Sequence, residues 1–70
     1  MHTDANIRRN VELELQWEPS LDDKKIAAIV NDGVVTLTGH VGSWQERDDA
    51  AIAAWVAPGI THVNNTLAVY

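Results

Sequence analysis

The sequence predicts an α/β (α+β) two-layer sandwich whose elements follow the order α-β-β-α-β. Two β-branched runs flank Asp32-Gly33, which is a strong signal for a β-hairpin. A helical pattern then separates the second run from another alternating segment, as in a βαβ unit. Such crossovers are right-handed and usually place their parallel strands side by side. We therefore expect a three-stranded mixed sheet in the order 1-2-3, with both helices on one face.

Length and composition limit the class of protein. The 70 residues fit one small domain, residues 1–70, and 46% of them are hydrophobic, as in globular proteins. A net charge of −5 argues against nucleic acid, which proteins hold with basic residues. No apolar run is long enough to span a membrane, and the polar start Met1–Asp4 lacks the signal-peptide pattern. The absence of cysteine excludes disulfides and cysteine-ligated zinc.

The first helix is predicted from a narrow apolar stripe at four-residue spacing. Its members are Ile7, Val11 and Leu15. Thr3 suits the N-cap position, because its hydroxyl can accept a free backbone N–H of the first turn. Pro19 disfavours a helical residue before it, so the helix should end near Trp17 or Glu18. Residues 18–24 should then form a loop.

The hairpin should pair a strand at about 25–31 with a strand at about 34–41. Asp32 and Gly33 are assigned to the turn, where Gly33 supplies positive φ without a Cβ clash. The pairs on the face toward the helices are then Val30 with Val35, Ala28 with Leu37, and Ile26 with Gly39. A slip by one residue would expose these apolar side chains, so the register is well specified.

The second helix should begin after Ser43. Ser43 and Glu46 have the spacing of a capping box, in which the hydroxyl and the carboxylate each accept an unpaired N–H. The helix should run to about Ala57, where Pro58-Gly59 ends it. A third strand is expected from Ile60 to about Val69, because apolar and polar residues alternate there.

This second helix has two apolar stripes, whereas a surface helix ordinarily has one. One stripe is small and flat and suits the sheet: Ala50, Ala53, Ala54 and Ala57. Trp44, Ile52 and Trp55 form the other, and Leu13 and Trp17 form a flank on helix one. Either these flanks bury each other between the helices, or at least one is presented outward. We predict these five residues as the lipid- or partner-binding surface.

Few residues suggest chemistry. Ser43 and Glu46 could act as nucleophile and base, but the capping box explains both. His40 and His62 should stand at opposite ends of parallel strands, about 20 Å apart at roughly 3.3 Å per residue. Asp22-Asp23 lacks the spaced oxygen ligands of a calcium loop. We therefore expect no catalytic residue, no metal site and no cofactor.

Several segments together resemble a known family. They are the run from Asp32 to Gly39 with sequence DGVVTLTG, the Pro58-Gly59-Ile60 turn, and the alternating Val63-x-Asn65-x-Leu67-x-Val69. From Asp4 to Val69, the chain closely resembles the BON domain of bacterial osmotically inducible and nodulation proteins. The resemblance implies an α-β-β-α-β sandwich without catalytic residues. It also implies phospholipid binding, a role in osmotic stress and a periplasmic location, although the sequence itself leaves a cytoplasmic location open.

Two functions follow as expectations. The first is a non-catalytic BON-type module of a bacterial envelope or osmotic-stress protein, associating weakly with phospholipid or an envelope partner. The alternative is a protein–protein interaction or self-association domain without lipid affinity, which the negative charge favours. Exposed tryptophans would suit either function, since indole is common at membrane interfaces and at protein interfaces.

Overall fold

The structure, a computed structural model, describes residues 3–70 except for the side chain of Asp23. Helix α1 spans Asp4–Trp17, a short 3-10 turn spans Asp23–Lys25, β1 spans Ile26–Asn31, β2 spans Val34–Val41, α2 spans Trp44–Val56, β3 spans His62–Asn65 and β4 spans Ala68–Val69. The sheet has the order β1-β2-β3, and β4 also pairs with β2. The predicted sandwich, with both helices against a mixed sheet, is confirmed. No helix among residues 3–70 is long and apolar enough to cross a membrane.

Side chains cap both helix starts. The Thr3 hydroxyl accepts the N–H of Asn6 at 3.1 Å. At α2, the Ser43 hydroxyl accepts the N–H of Glu46 at 3.2 Å. The Glu46 carboxylate reaches back to the N–H of Gly42 at 2.6 Å, one residue before the usual partner in a capping box. Both interactions satisfy N–H groups that the helix and its entry would leave unpaired.

The hairpin has the predicted register. Asp32 and Gly33 both have positive φ, 55° and 79°, as a primed two-residue turn requires. The antiparallel pairs run from Asn31 with Val34 to Ile26 with Gly39. Positive φ at Asp32 costs less than at most residues, because aspartate tolerates the left-handed region. The turn therefore fixes which face of each strand meets the helices.

Gly33→Val should lower the free energy of unfolding by about 1–3 kcal/mol. Valine is strained at positive φ, and a Cβ at this position would lie 3.0 Å from the carbonyl oxygen of Gly59 and 3.1 Å from Oγ1 of Thr61. Chemical denaturation measures the loss. Gly33→Asn is the matched control and should cost less, since asparagine adopts positive φ more readily. An unchanged unfolding midpoint for the valine variant would contradict this account of the turn.

The third strand is interrupted, and the prediction of one continuous strand from Ile60 to about Val69 is wrong. Segments β3 and β4 both run parallel to β2, but Thr66 and Leu67 between them are irregular. The Asn65 side chain accepts the N–H of Leu67 at 3.3 Å, a local turn that competes with a regular strand. The Thr66 N–H and hydroxyl meanwhile both bind the Leu37 carbonyl oxygen, which holds this segment beside β2.

The hydrophobic core lies between the helices and the sheet. It contains the predicted stripe of α1, the alanine stripe of α2 and the inward side chains of β2. The buried members are Ile7, Val11, Leu15, Val35, Leu37, Val41, Ala50, Ala53, Ala54, Ala57 and Leu67. Leu21, from the loop after α1, is half-buried and packs against them. Small alanine side chains let the helix backbone approach the core closely, so the buried side of α2 is lined by its alanines.

Candidate functional site

Helix α2 presents a row of large apolar side chains to solvent. Trp44, Ile52, Trp55 and Val56, which we name the α2 ridge, are between 51% and 69% exposed. They stand on the side of the helix opposite the buried alanines. The alternative in which helix one covers the tryptophans is therefore wrong. A small protein gains no stability from such exposure, so the ridge is a candidate contact surface.

Helix spacing explains how the ridge forms. Trp44 and Trp55 are eleven residues apart, which at about 100° per residue places them almost in line along the helix. Asp48 lies between Trp44 and Ile52 at four-residue intervals and is also exposed. The ridge is thus a line of apolar side chains interrupted by one carboxylate. This arrangement can bury hydrocarbon or an apolar side chain, but it repels anions beside Asp48.

Arg47 anchors the ridge to the sheet. Its guanidinium donates to the carbonyl oxygens of Asn65 at 2.6 Å and Leu67 at 3.1 Å. The Asn65 side chain returns a hydrogen bond to the Arg47 carbonyl oxygen at 2.8 Å. The same guanidinium lies 5.7 Å from the centre of the Trp44 ring, a cation–π distance. These contacts fix both the rotation of α2 and the orientation of Trp44.

This role of Arg47 was not predicted from the sequence. Its position contained a usable signal, because Arg47 precedes Ala50 and Ala54 by three and seven residues and therefore shares their sheet-facing side. A charged residue there must find acceptors on the sheet. The irregular carbonyl groups around Thr66 supply them, and no pattern in the sequence predicts that irregularity.

The other predicted pair is also exposed and stands on α1. Trp17 is 79% exposed and Leu13 is 43% exposed. The loop after α1 approaches α2 at Asp49, whose carboxylate accepts the Ser20 hydroxyl at 2.9 Å. Trp44, Ile52 and Trp55 thus share one side of α2, whereas Leu13 and Trp17 stand on α1.

The charged groups near the start of α2 form no enclosed site. An open pocket of about 140 Å³ is lined by Asp22, Lys25, His40, Val41, Gly42 and Glu46. Ligand pockets usually reach roughly 300–1,000 Å³, so this one is too small for an ordinary organic ligand. The Glu46 carboxylate is already bound to the Gly42 N–H.

His40 and His62 stand at opposite ends of the sheet, as the parallel strands require. His62 pairs with Val34 at the start of β2, whereas His40 lies near the end of β2, about 20 Å away at roughly 3.3 Å per residue. The His62 ring bonds the Asn64 side chain at 3.0 Å, and His40 stacks on Tyr70 with ring centres 4.9 Å apart. Within the described residues, no three His, Asp or Glu side chains come together as a metal site. Asp22-Asp23 was considered as a cation site in the sequence, and the carboxylate of Asp23 lies outside the described side chains.

Comparison with known proteins adds one match. A family model described as the BON domain matches residues 3–69, which is nearly the whole chain. The resemblance inferred from the hairpin and the third strand is thereby confirmed. A search of curated proteins finds no significant match.

Proposed function

Because the chain belongs to the BON domain family, whose members are non-enzymatic binding modules associated with bacterial envelope proteins, we propose that it binds a phospholipid surface through the α2 ridge. The exposure of Trp44, Ile52, Trp55 and Val56 along one side of one helix is the observation that supports this proposal. A periplasmic, osmotic-stress context is part of the proposal and comes from the family alone.

The chemistry of the ridge suits the boundary between headgroups and acyl chains. Indole rings are enriched at this depth, because they combine a large apolar body with one N–H donor. Ile52 and Val56 add aliphatic surface next to them. At about 25 cal/mol per Å² of buried apolar area, a single helix side supports only weak and reversible binding. The module would therefore associate peripherally.

The negative charge of the chain determines which lipid headgroups the ridge can approach. The chain has a net charge of −5, and Asp48 is exposed within the ridge. Arg47 is the nearest base, but two of its donors already bind backbone oxygens. Anionic headgroups would therefore be repelled at low salt, when electrostatic screening is weakest. Zwitterionic phospholipid is the better fit.

Vesicle cosedimentation tests the proposal. We expect weak binding to phosphatidylcholine vesicles and weaker binding to phosphatidylglycerol vesicles at low salt, with the difference shrinking as salt is added. Ile52→Ala should weaken binding about tenfold. Ile29→Ala is the matched control, since Ile29 on the outer face of β1 is similarly exposed at 57% but lies outside the ridge. Binding that strengthens steeply with anionic lipid would contradict the proposed surface.

A protein partner is the second candidate, and the acidic group on the ridge favours it. Tryptophan is enriched at the hot spots of protein interfaces, and a complementary charge on a partner can offset a carboxylate there. Asp48 would then face a basic group on the partner. Failure to bind either kind of vesicle would refute the lipid proposal and leave this one.

A further inference from the structure

Within residues 3–70, strand β1 forms one edge of the sheet and pairs only with β2. The hydrogen bonds on the other side of β2 show which backbone groups of β1 point away from the sheet. The carbonyl oxygens of Gly33, Leu37 and Val41 all accept N–H groups from the segment after α2. Alternate residues of β2, beginning at Val34, must therefore point their backbone groups toward β1.

The register then identifies the groups left unpaired on β1. Residues of β2 that face β1 are partnered with Asn31, Ile29 and Ala27. The N–H and C=O groups of the alternate residues, Ile26, Ala28 and Val30, consequently point away from the sheet. Within residues 3–70, no backbone hydrogen bond from a loop or turn reaches these groups.

This edge has none of the usual protection against pairing. Sheet edges are commonly blunted by an inward charge, a proline or a bulge. The strand sequence, IAAIVN, contains no charge and no proline, and its pairing with β2 proceeds without an inserted residue. On its outer face, Ile29 is 57% exposed. The edge therefore offers three unpaired residues and an uncovered aliphatic side chain.

We propose that a second copy of this chain pairs with this edge, β1 against β1 in antiparallel orientation, about a two-fold axis at Ala28. Centring on Ala28 sets Ile26 of each copy opposite Val30 of the other. This register alone gives hydrogen-bond partners to all three outward residues of both copies. The two sheets become continuous, with the helices of both copies on the same face.

The side chains and charges are complementary in this register. Ile29 of one copy lies opposite Ala27 of the other, so each exposed isoleucine is covered by a small apolar neighbour. Lys24 lies just before β1 and Asp32 just after it, so antiparallel pairing brings the basic end of one strand near the acidic end of the other. Asp4 strengthens the acidic end, since its carboxylate accepts the Asp32 N–H at 3.2 Å. An unrelated peptide would need a matching pattern of its own, whereas a second copy always has one.

Analytical ultracentrifugation over a concentration series tests the pairing. One strand from each copy is a small interface, so we expect a reversible dimer with a Kd on the order of 0.1–1 mM. Ile29→Lys should remain monomeric, because it brings two like charges close to the axis. Ile52→Lys is the matched control and should dimerise like the original chain. A monomer at every concentration, or equal dimerisation of the Ile29→Lys variant, would overturn the proposal.

A charge reversal tests the register separately. Lys24→Glu puts an acid at the strand end that meets Asp32 of the other copy and should weaken the dimer about fivefold, while far-ultraviolet circular dichroism confirms that the chain is folded. Adding Asp32→Asn should recover most of the affinity, since asparagine tolerates positive φ in the turn. An affinity unchanged by Lys24→Glu would overturn the antiparallel register. The proposed dimer can be tested separately from the α2 ridge, because the Ile52→Lys variant should lose vesicle binding and still dimerise.

Discussion

Gly39→Ala should destabilise the protein by about 3 kcal/mol or more, enough to populate the unfolded state of a domain of this size. A Cβ added at Gly39 would overlap the carbonyl oxygen of Lys25, which belongs to the backbone and cannot rotate away. Gly39 also has a φ of 117°, a conformation that L side chains rarely adopt. Both the overlap and the unfavourable φ occur where β1 begins to pair with β2, so β1 would have to move to relieve the strain.

Thermal and denaturant unfolding, followed by circular dichroism, measure this loss. Gly42→Ala is the matched control, because its nearest obstacle is the flexible Glu46 carboxylate at 3.2 Å rather than a backbone atom. It should cost much less than the change at Gly39. Similar stability of the Gly39 variant and the original chain would contradict the close approach of β1 and β2.

The double variant Trp44→Ala, Trp55→Ala should lose most binding to phosphatidylcholine vesicles and keep most of its stability. Both rings are at least half exposed, so truncation leaves no core cavity. Trp44 also loses its cation–π contact with Arg47, worth about 0.5–1 kcal/mol at an exposed site. We expect a total stability loss of about 1–2 kcal/mol, well below the ~3–5 kcal/mol typical of a buried tryptophan.

The measurement pairs an unfolding curve with vesicle cosedimentation on the same variant. Trp17→Ala serves as a comparison, because this tryptophan is exposed on the other helix. It should reduce binding less than the double variant does. A stable double variant that binds vesicles normally would refute the assignment of the α2 ridge.

The hairpin was predictable because two local signals agree. Alternation of apolar residues determines which face of each strand is buried, and Asp32-Gly33 determines where the chain reverses. Only one register satisfies both, and the structure has it. The two apolar stripes of α2 were predictable for the same reason, since helical spacing alone sorts alanines from tryptophans.

The exposure of the tryptophans could not be predicted, because it depends on where α1 packs. The stripe of α1, centred on Val11, is buried with the alanines of α2 in one core. That core uses the alanine side of α2 and leaves the tryptophan side free. The break after Asn65 could not be predicted either. There the Arg47 guanidinium binds the Asn65 carbonyl oxygen, which is distant in sequence, and the Asn65 side chain accepts the N–H of Leu67 in a local turn. Both features are tertiary and have no periodic signature.

Amide NMR of isotope-labelled protein titrated with phosphatidylcholine vesicles is the most direct test of the proposed surface. Residues that touch the vesicle should lose signal intensity through exchange with a slowly tumbling particle. We predict losses concentrated at Trp44, Asp48, Ile52 and Trp55, with Thr36, Thr38 and Asn64 on the outer sheet face unaffected. Losses confined to the outer sheet face, or no change anywhere along α2, would contradict the α2 ridge as the lipid contact.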